Sequence, residues 1–137
     1  MSGKKTLHIV PVSGLKGSLS VPGDKSISHR AVMFGSIADG ITEVEGFLEG
    51  EDNLATVEAF KKMGVAIKKK SNGLIVIHGN GINGLKEPND VIDAKNSGTT
   101  TRLLMGLLSA QPFFSVITGD DSLRRRPMKR VAEPLRK

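Results

Sequence analysis

Lys25, Ser26 and Arg30 stand close together in the stretch Pro22-Gly23-Asp24-Lys25-Ser26-Ile27-Ser28-His29-Arg30. An ammonium and a guanidinium set where a helix begins are suited to holding an anion such as a phosphate or a carboxylate. Gly23 supplies a turn that can bring backbone close to a ligand. Asp24 or Ser26 can cap a helix whose interior is Ala31-Val32-Met33-Phe34. Such a helix aims its unpaired N–H groups and positive dipole end at whatever lies in front. Arg30 follows Ser26 by four residues, so the two share a face. Each residue also has a plainer reading: a solvated lysine, a cap alone, a surface ion pair. The glycine turn and the cap favour the anion.

A second group repeats the pattern. Asn96-Ser97-Gly98-Thr99-Thr100-Thr101-Arg102 is again a small-residue turn, a helix start and an arginine one turn in. Gly98, with Asn96 and Ser97, offers backbone N–H groups to an anion, and a bare helix cap is the competing reading. Arg102 either touches ligand or braces the loop. Arg124, Arg125 and Arg126 share one turn and cannot all face one site; Arg126, directly before Pro127, is the best placed. Asp52 either favours its helix dipole or belongs to the site. His8, His29 and His78 show no metal spacing, and His29 is expected to face away from the target of Arg30. No nucleophile elbow accompanies the Ser, His and Asp residues, so a hydrolase triad is unsupported. Gly79-Asn80-Gly81-Ile82-Asn83-Gly84 fits G-x-G-x-x-G, but Leu85 to Asp90 make a poor helix opening. The stretch reads as a surface loop.

The 137 residues suit one domain or a piece of a larger protein. With no cysteine there is no disulfide, thiolate nucleophile or Cys-based zinc site, which fits a reducing compartment. Met1 to Lys5 lead into an apolar run too short for a signal peptide, and no run approaches a membrane span. The expectation is a cytoplasmic protein without membrane contact. The net charge of +6 comes without interleaved aromatics, since Trp and Tyr are absent. A pocket for small acidic substrates is therefore preferred over nucleic acid. A nucleic-acid module using residues 124–130 is the competing class, and its binding would fall steeply with salt. A third reading is a folding unit with no ligand.

Those residues need elements to position them. The pattern predicts strands over 6–12 and 15–21, a helix over 26–38 stopping at Gly40, and a strand over 41–47. A helix over 53–63 follows, closed by Gly64, with Leu54, Val57, Phe60 and Met63 facing inward. Strands at 65–69 and 74–78 turn about Ser71-Asn72-Gly73. Then come a short strand at 91–94, a helix from 98, a strand over 113–118, a polar loop Gly119–Arg126 and a helix from about 128 with Pro127 in its first turn. A 72-residue repeat lays Ser26 on Gly98, Arg30 on Arg102, Ile41 on Phe113 and Asp52 on Arg124. The second unit reads as truncated before its hairpin. Stacked units would point the helix starts near 26, 53, 98 and 127 the same way, making an electropositive floor.

Three stretches in order, Pro22–Ala31, Asn96–Arg102 and Gly119–Met128, resemble the 5-enolpyruvylshikimate 3-phosphate synthase family over essentially the whole chain. The resemblance covers the N-terminal part of longer proteins. It implies an α/β (α+β) fold of repeated βαβαββ units, with helix N-termini facing a cleft between two halves. Residues 1–21 would belong to the other half, 22–90 would form the first unit, and 91–137 would begin a second. The implied reaction joins the enolpyruvyl group of phosphoenolpyruvate to the 5-hydroxyl of shikimate 3-phosphate. Carried over by motif, Lys25, Ser26 and Arg30 contact shikimate 3-phosphate. Lys25, Gly98 and Arg126 contact phosphoenolpyruvate, with Lys25 a candidate in proton transfer. Asp52, Asn96, Ser97, Thr99 and Arg102 are candidate supporting residues. No metal or organic cofactor is implied. The implied partners are the two substrates, glyphosate as inhibitor and the C-terminal half of the same enzyme, in a monomer. A sibling acting on a UDP-sugar typically carries Lys-Asn and a reactive cysteine; Lys25-Ser26 and the absence of cysteine argue against it. The fragment alone is expected not to turn over.

Overall fold

The computed structural model describes residues 6–71 and 73–137. Its elements are α1 (Lys25–Ile37), β1 (Asp39–Val44), α2 (Glu51–Lys62), β2 (Ala66–Lys69), β3 (Ile75–Asn80), β4 (Ile92–Asp93), α3 (Gly98–Leu108), β5 (Ile117–Thr118), α4 (Asp121–Arg124) and α5 (Lys129–Leu135). This is the expected mixed α/β chain.

β3 runs at the centre of a three-stranded sheet, order β1-β3-β2, antiparallel to both neighbours. β4 and β5 form a parallel pair, with α3 as the crossover between them. Val32 from α1, Phe60 from α2, Ile77 from β3, Ile92 from β4 and Leu104 from α3 are all fully buried, so one core joins the helices to both sheets. α1 settles closely on β3: a Cβ on Gly79 would lie 2.2 Å from the Ala38 carbonyl oxygen. One on Gly84 would lie 1.8 Å from the Asn80 oxygen. The G-x-G-x-x-G spacing thus serves backbone packing, and no helix opens after it.

Capping sets the helix limits. Asp24, not Ser26, caps α1, its carboxylate accepting from the Ile27 N–H at 2.7 Å. α1 ends at an extended Ala38, and Gly40 lies inside β1 with φ +105, so it does not terminate the helix. Gly64, with φ +86, does close α2. The inward face of α2 is rotated from the expected one. Leu54 is 42% exposed, whereas Asn53 and Thr56 are buried beside Val57 and Phe60. Those two polar side chains find hydrogen-bond partners inside, which the apolar pattern could not register.

Several expected strands are shorter or missing. Residues 6–21 form no strand and run exposed, because an extended segment needs a paired edge and an apolar face to pack on. Gly23 leads from this segment into α1, and its role is packing: a Cβ there would stand 1.8 Å from the Gly46 oxygen. β1 stops at Val44 rather than 47, and the strand over 113–118 shrinks to Ile117–Thr118, since β4 offers only two residues to pair with. The β2–β3 hairpin forms, although Asn72 of its turn, like Met1–Lys5, lies outside the described residues.

The loop expected over Gly119–Arg126 contains a helical turn, α4. Asp120 caps it, accepting from the Leu123 N–H at 2.7 Å. Pro127 precedes the Met128 N-cap of α5 instead of occupying the first turn. The repeat explains the break. Pro127 falls where the first unit has Ala55, in the middle of α2, and a proline there lacks the N–H and clashes with the preceding turn. Where α2 is one helix, the stretch 72 residues later is two, α4 and α5, and Arg126 stands between them.

Candidate functional site

The first turns of α1, α2 and α3 are tied to one another. The Lys25 ammonium is ion-paired to the Asp52 carboxylate. Beside it, the Asn53 side-chain amide donates to the Lys25 carbonyl at 2.8 Å. The Thr100 hydroxyl donates to the Asp52 carbonyl at 3.2 Å. Three helix N-termini therefore meet in one place, and the positive ends of their dipoles add where Lys25 already stands. Glu51 and Asp52, in the first turn of α2, offset part of that potential.

The second cluster is built on α3. Ser97 caps it, accepting from the Thr100 N–H at 3.1 Å. Arg126 donates to the Asn96 side-chain oxygen at 2.5 Å, and Asn96 in turn donates to Asp120 at 2.6 Å. That amide, with the Leu123 N–H, holds the Asp120 carboxyl below its ordinary value. Gly98 faces two guanidiniums. A Cβ on it would lie 2.7 Å from Arg102 Nη1 and 3.2 Å from Arg126 Nη1. Arg102 has no carboxylate partner among the described residues, and its Nε is buried without a hydrogen bond. Two guanidiniums against a bare helix turn call for a bound anion to offset them.

Lys25, Asp52, Asn96, Ser97, Gly98, Arg102 and Arg126 thus fall into one connected cluster. Ser26 and Arg30 are exposed on α1, and their side chains, like that of Thr99, make no hydrogen bond or ion pair among the described residues. The start of α5, expected as a fourth contributor, makes no hydrogen bond to the cluster; Arg126 reaches it from the preceding turn. Arg124 pairs with Asp121, so the arginine triplet presents no common basic face. The partner set against Lys25 is the Asp52 carboxylate. Among the described residues no group of three or more His, Cys, Asp or Glu could hold a metal, and no helix is long and apolar enough to cross a membrane.

Sequence reasoning missed Asn53, Thr56, Thr100 and His29 as residues of the site. His29 is fully buried, with Nδ1 at 2.7 Å from Thr56 Oγ1. Burial holds its imidazole below the ordinary 6.5; Asp52 opposes the shift and Lys25 adds to it. The available signal was polar residues at helical spacing (Asn53, Thr56) on a face that must be buried.

The site is thus an α/β unit in which three helix N-termini converge and two guanidiniums lie above a glycine turn. A family model described as EPSP synthase (3-phosphoshikimate 1-carboxyvinyltransferase) matches residues 9–137, and the chain belongs to this family. It is 62% identical over 129 residues to the 3-phosphoshikimate 1-carboxyvinyltransferase of Desulforamulus reducens, covering 94% of this chain and 30% of that protein. The protein of the same name from Pelobacter propionicus is 61% identical over 130 residues, covering 95% and 30%. Among solved structures, EPSP synthase from Acinetobacter baumannii superposes with a TM-score of 0.84 at 60% identity, covering 88% of this chain and 27% of that one. The chain therefore spans about 30% of the length of the relatives it matches.

Proposed function

We propose that this chain supplies one wall of the cleft of a 3-phosphoshikimate 1-carboxyvinyltransferase of the shikimate route to aromatic amino acids. In that reaction the 5-hydroxyl of shikimate 3-phosphate attacks C2 of phosphoenolpyruvate while C3 takes up a proton. The tetrahedral adduct then loses phosphate and returns a proton from C3, leaving the enol ether. Every species is multiply anionic, so fixed cations and helix ends bind the substrates and stabilise charge as it develops. Lys25 stands between the two anion sites and is the candidate for proton transfer. Exposed Ser26 and Arg30 hold shikimate 3-phosphate on the α1 side. Gly98 and Arg126 hold phosphoenolpyruvate on the α3 side, with Arg102 as a second guanidinium and Asp52, Asn96, Ser97 and Thr99 in support. Residues 22–90 act as the first repeat unit and 91–137 as the start of the second. Residues 1–21 pack against the remaining portion of a monomeric cytoplasmic enzyme. Glyphosate inhibits that intact enzyme, because Gly98 adds no side chain to shorten the site.

The observation carrying this reading is the linkage of the Lys25–Asp52 pair to the Gly98 turn through Thr100. The test is phosphate release with both substrates. A family-length enzyme carrying this sequence turns over and is inhibited by glyphosate below the millimolar range, while the 137-residue chain releases no phosphate. Adding shikimate 3-phosphate shifts the amide signals of Lys25 and Ser26. Activity of the isolated chain, or binding of nucleic acid in place of both substrates, would overturn the assignment.

A further inference from the structure

Behind the site lies a buried line of one imidazole and three hydroxyls, reaching from Ser97 and Thr100 back to Thr56 and His29. His29 on α1, Thr56 on α2, and Ser97 and Thr100 at the start of α3 have exposures of 0, 0, 0 and 1%. His29 Nδ1 lies 2.7 Å from Thr56 Oγ1, which lies 2.7 Å from Thr100 Oγ1, which lies 2.6 Å from Ser97 Oγ. Counting protons gives the line a direction. If the single hydroxyl proton of Thr100 goes to the Asp52 carbonyl, which can only accept, Thr100 is left to accept from Thr56. Thr56 has then given its own proton and must accept from His29. That direction puts the ring proton on Nδ1 and leaves a lone pair on the unpartnered Nε2, whereas the reverse direction would bury an unpaired Nε2–H.

We propose that Thr100, backed by Thr56 and His29, is a positioning group that sets the Gly98 turn and its arginines against the Lys25–Asp52 pair. The proposal rests on the enolpyruvyl-transfer reading. Thr100 lies two residues beyond Gly98, and its hydroxyl bonds the backbone of the same Asp52 whose carboxylate holds Lys25. A ligand held from both sides feels any slip of α3 against α1 and α2. A ligand held by α1 alone does not. Phosphoenolpyruvate is of the first kind and shikimate 3-phosphate of the second.

The experiment uses a family-length enzyme carrying this sequence. Thr100→Val keeps the side-chain shape and removes the hydroxyl, whereas Thr100→Ser keeps the hydroxyl. In Thr100→Val the KM for phosphoenolpyruvate rises about tenfold, that for shikimate 3-phosphate stays within about twofold, and Thr100→Ser is restored. Thr56→Val, one step back along the line, shows the same split if Thr100→Val does not fold. Nitrogen-15 spectra of His29 report the proton on Nδ1. Unchanged kinetics, or both KM values rising together with a lowered Tm, would reduce Thr100 to a structural role and overturn the proposal, as would a proton on Nε2. If the parent enzyme does not turn over the two substrates, the functional reading fails, and the ring tautomer still decides the relay.

Discussion

Lys25 and His29 share the inner side of α1 and meet Asp52 from different depths. The Lys25 side chain keeps 51% of its exposure and Asp52 25%, so their ion pair is screened and contributes little to stability. His29 is enclosed, and its charged form is disfavoured chiefly by desolvation. The sign of the linkage follows. The folded state holds its proton less tightly than the unfolded chain, whose histidine titrates near 6.5, so acidification feeds the unfolded state. Stability is whole above pH 6.5 and falls as pH drops below it toward the lowered folded value. Urea midpoints between pH 7.5 and 5.5 should decline in the native sequence and flatten in His29→Asn; an equal slope in both would refute the assignment. The charged residues and the glycine of the site were legible because their types sit at helix starts. The hydroxyl line was not, because its members lie 27 and 44 residues apart and only packing pairs them.

At the scale of elements, the stretches 72 residues apart begin alike and continue differently. α1 and α3 both begin at capped turns, and the repeat lays one over the other, which is why the sequence predicts both starts within a residue or so. The helix after them diverges. α2 runs unbroken through Ala55, while its counterpart is split at Pro127 into α4 and α5. The sequence reads as loop over α4 because the apolar content there is one residue, Leu123, and its cap is the easily overlooked Asp120. The break sets the position of Arg126, whose N–H bonds back to Leu123 at 3.0 Å and whose guanidinium turns to Asn96. Pro127→Ala restores the N–H and allows α4 and α5 to join, drawing Arg126 away from Gly98. Far-UV circular dichroism should show added helix, and the KM for phosphoenolpyruvate should rise by about tenfold in the family-length enzyme. More helix with unchanged KM would show that Arg126 needs no break to reach its place.

The whole molecule has more surface than its mass warrants. A compact 14.6 kDa protein exposes roughly 6900 Å². This chain exposes 9715 Å². Part of the excess is the segment before α1, where Leu7, Ile9, Val10, Leu15 and Leu19 are all at least 78% exposed. Another part is a cavity of about 590 Å³ between α3 and α5, lined by Met105, Leu108, Phe113, Met128 and Leu135. In the first unit, β3 covers α1; among the described residues α3 has no equivalent strand pair over it. Apolar surface of this extent marks a contact with other protein, and the relatives are more than three times as long as this chain. The apolar alternation in 6–21 predicts strands that do not form here, because a strand exists only where an edge receives it. The isolated chain should accordingly bind the dye ANS strongly and unfold with a shallow urea dependence, whereas the family-length enzyme binds ANS several-fold less per mole. Equal dye binding by the two would mean that this chain closes its own apolar faces, and that the remaining two-thirds of the enzyme is not what covers them.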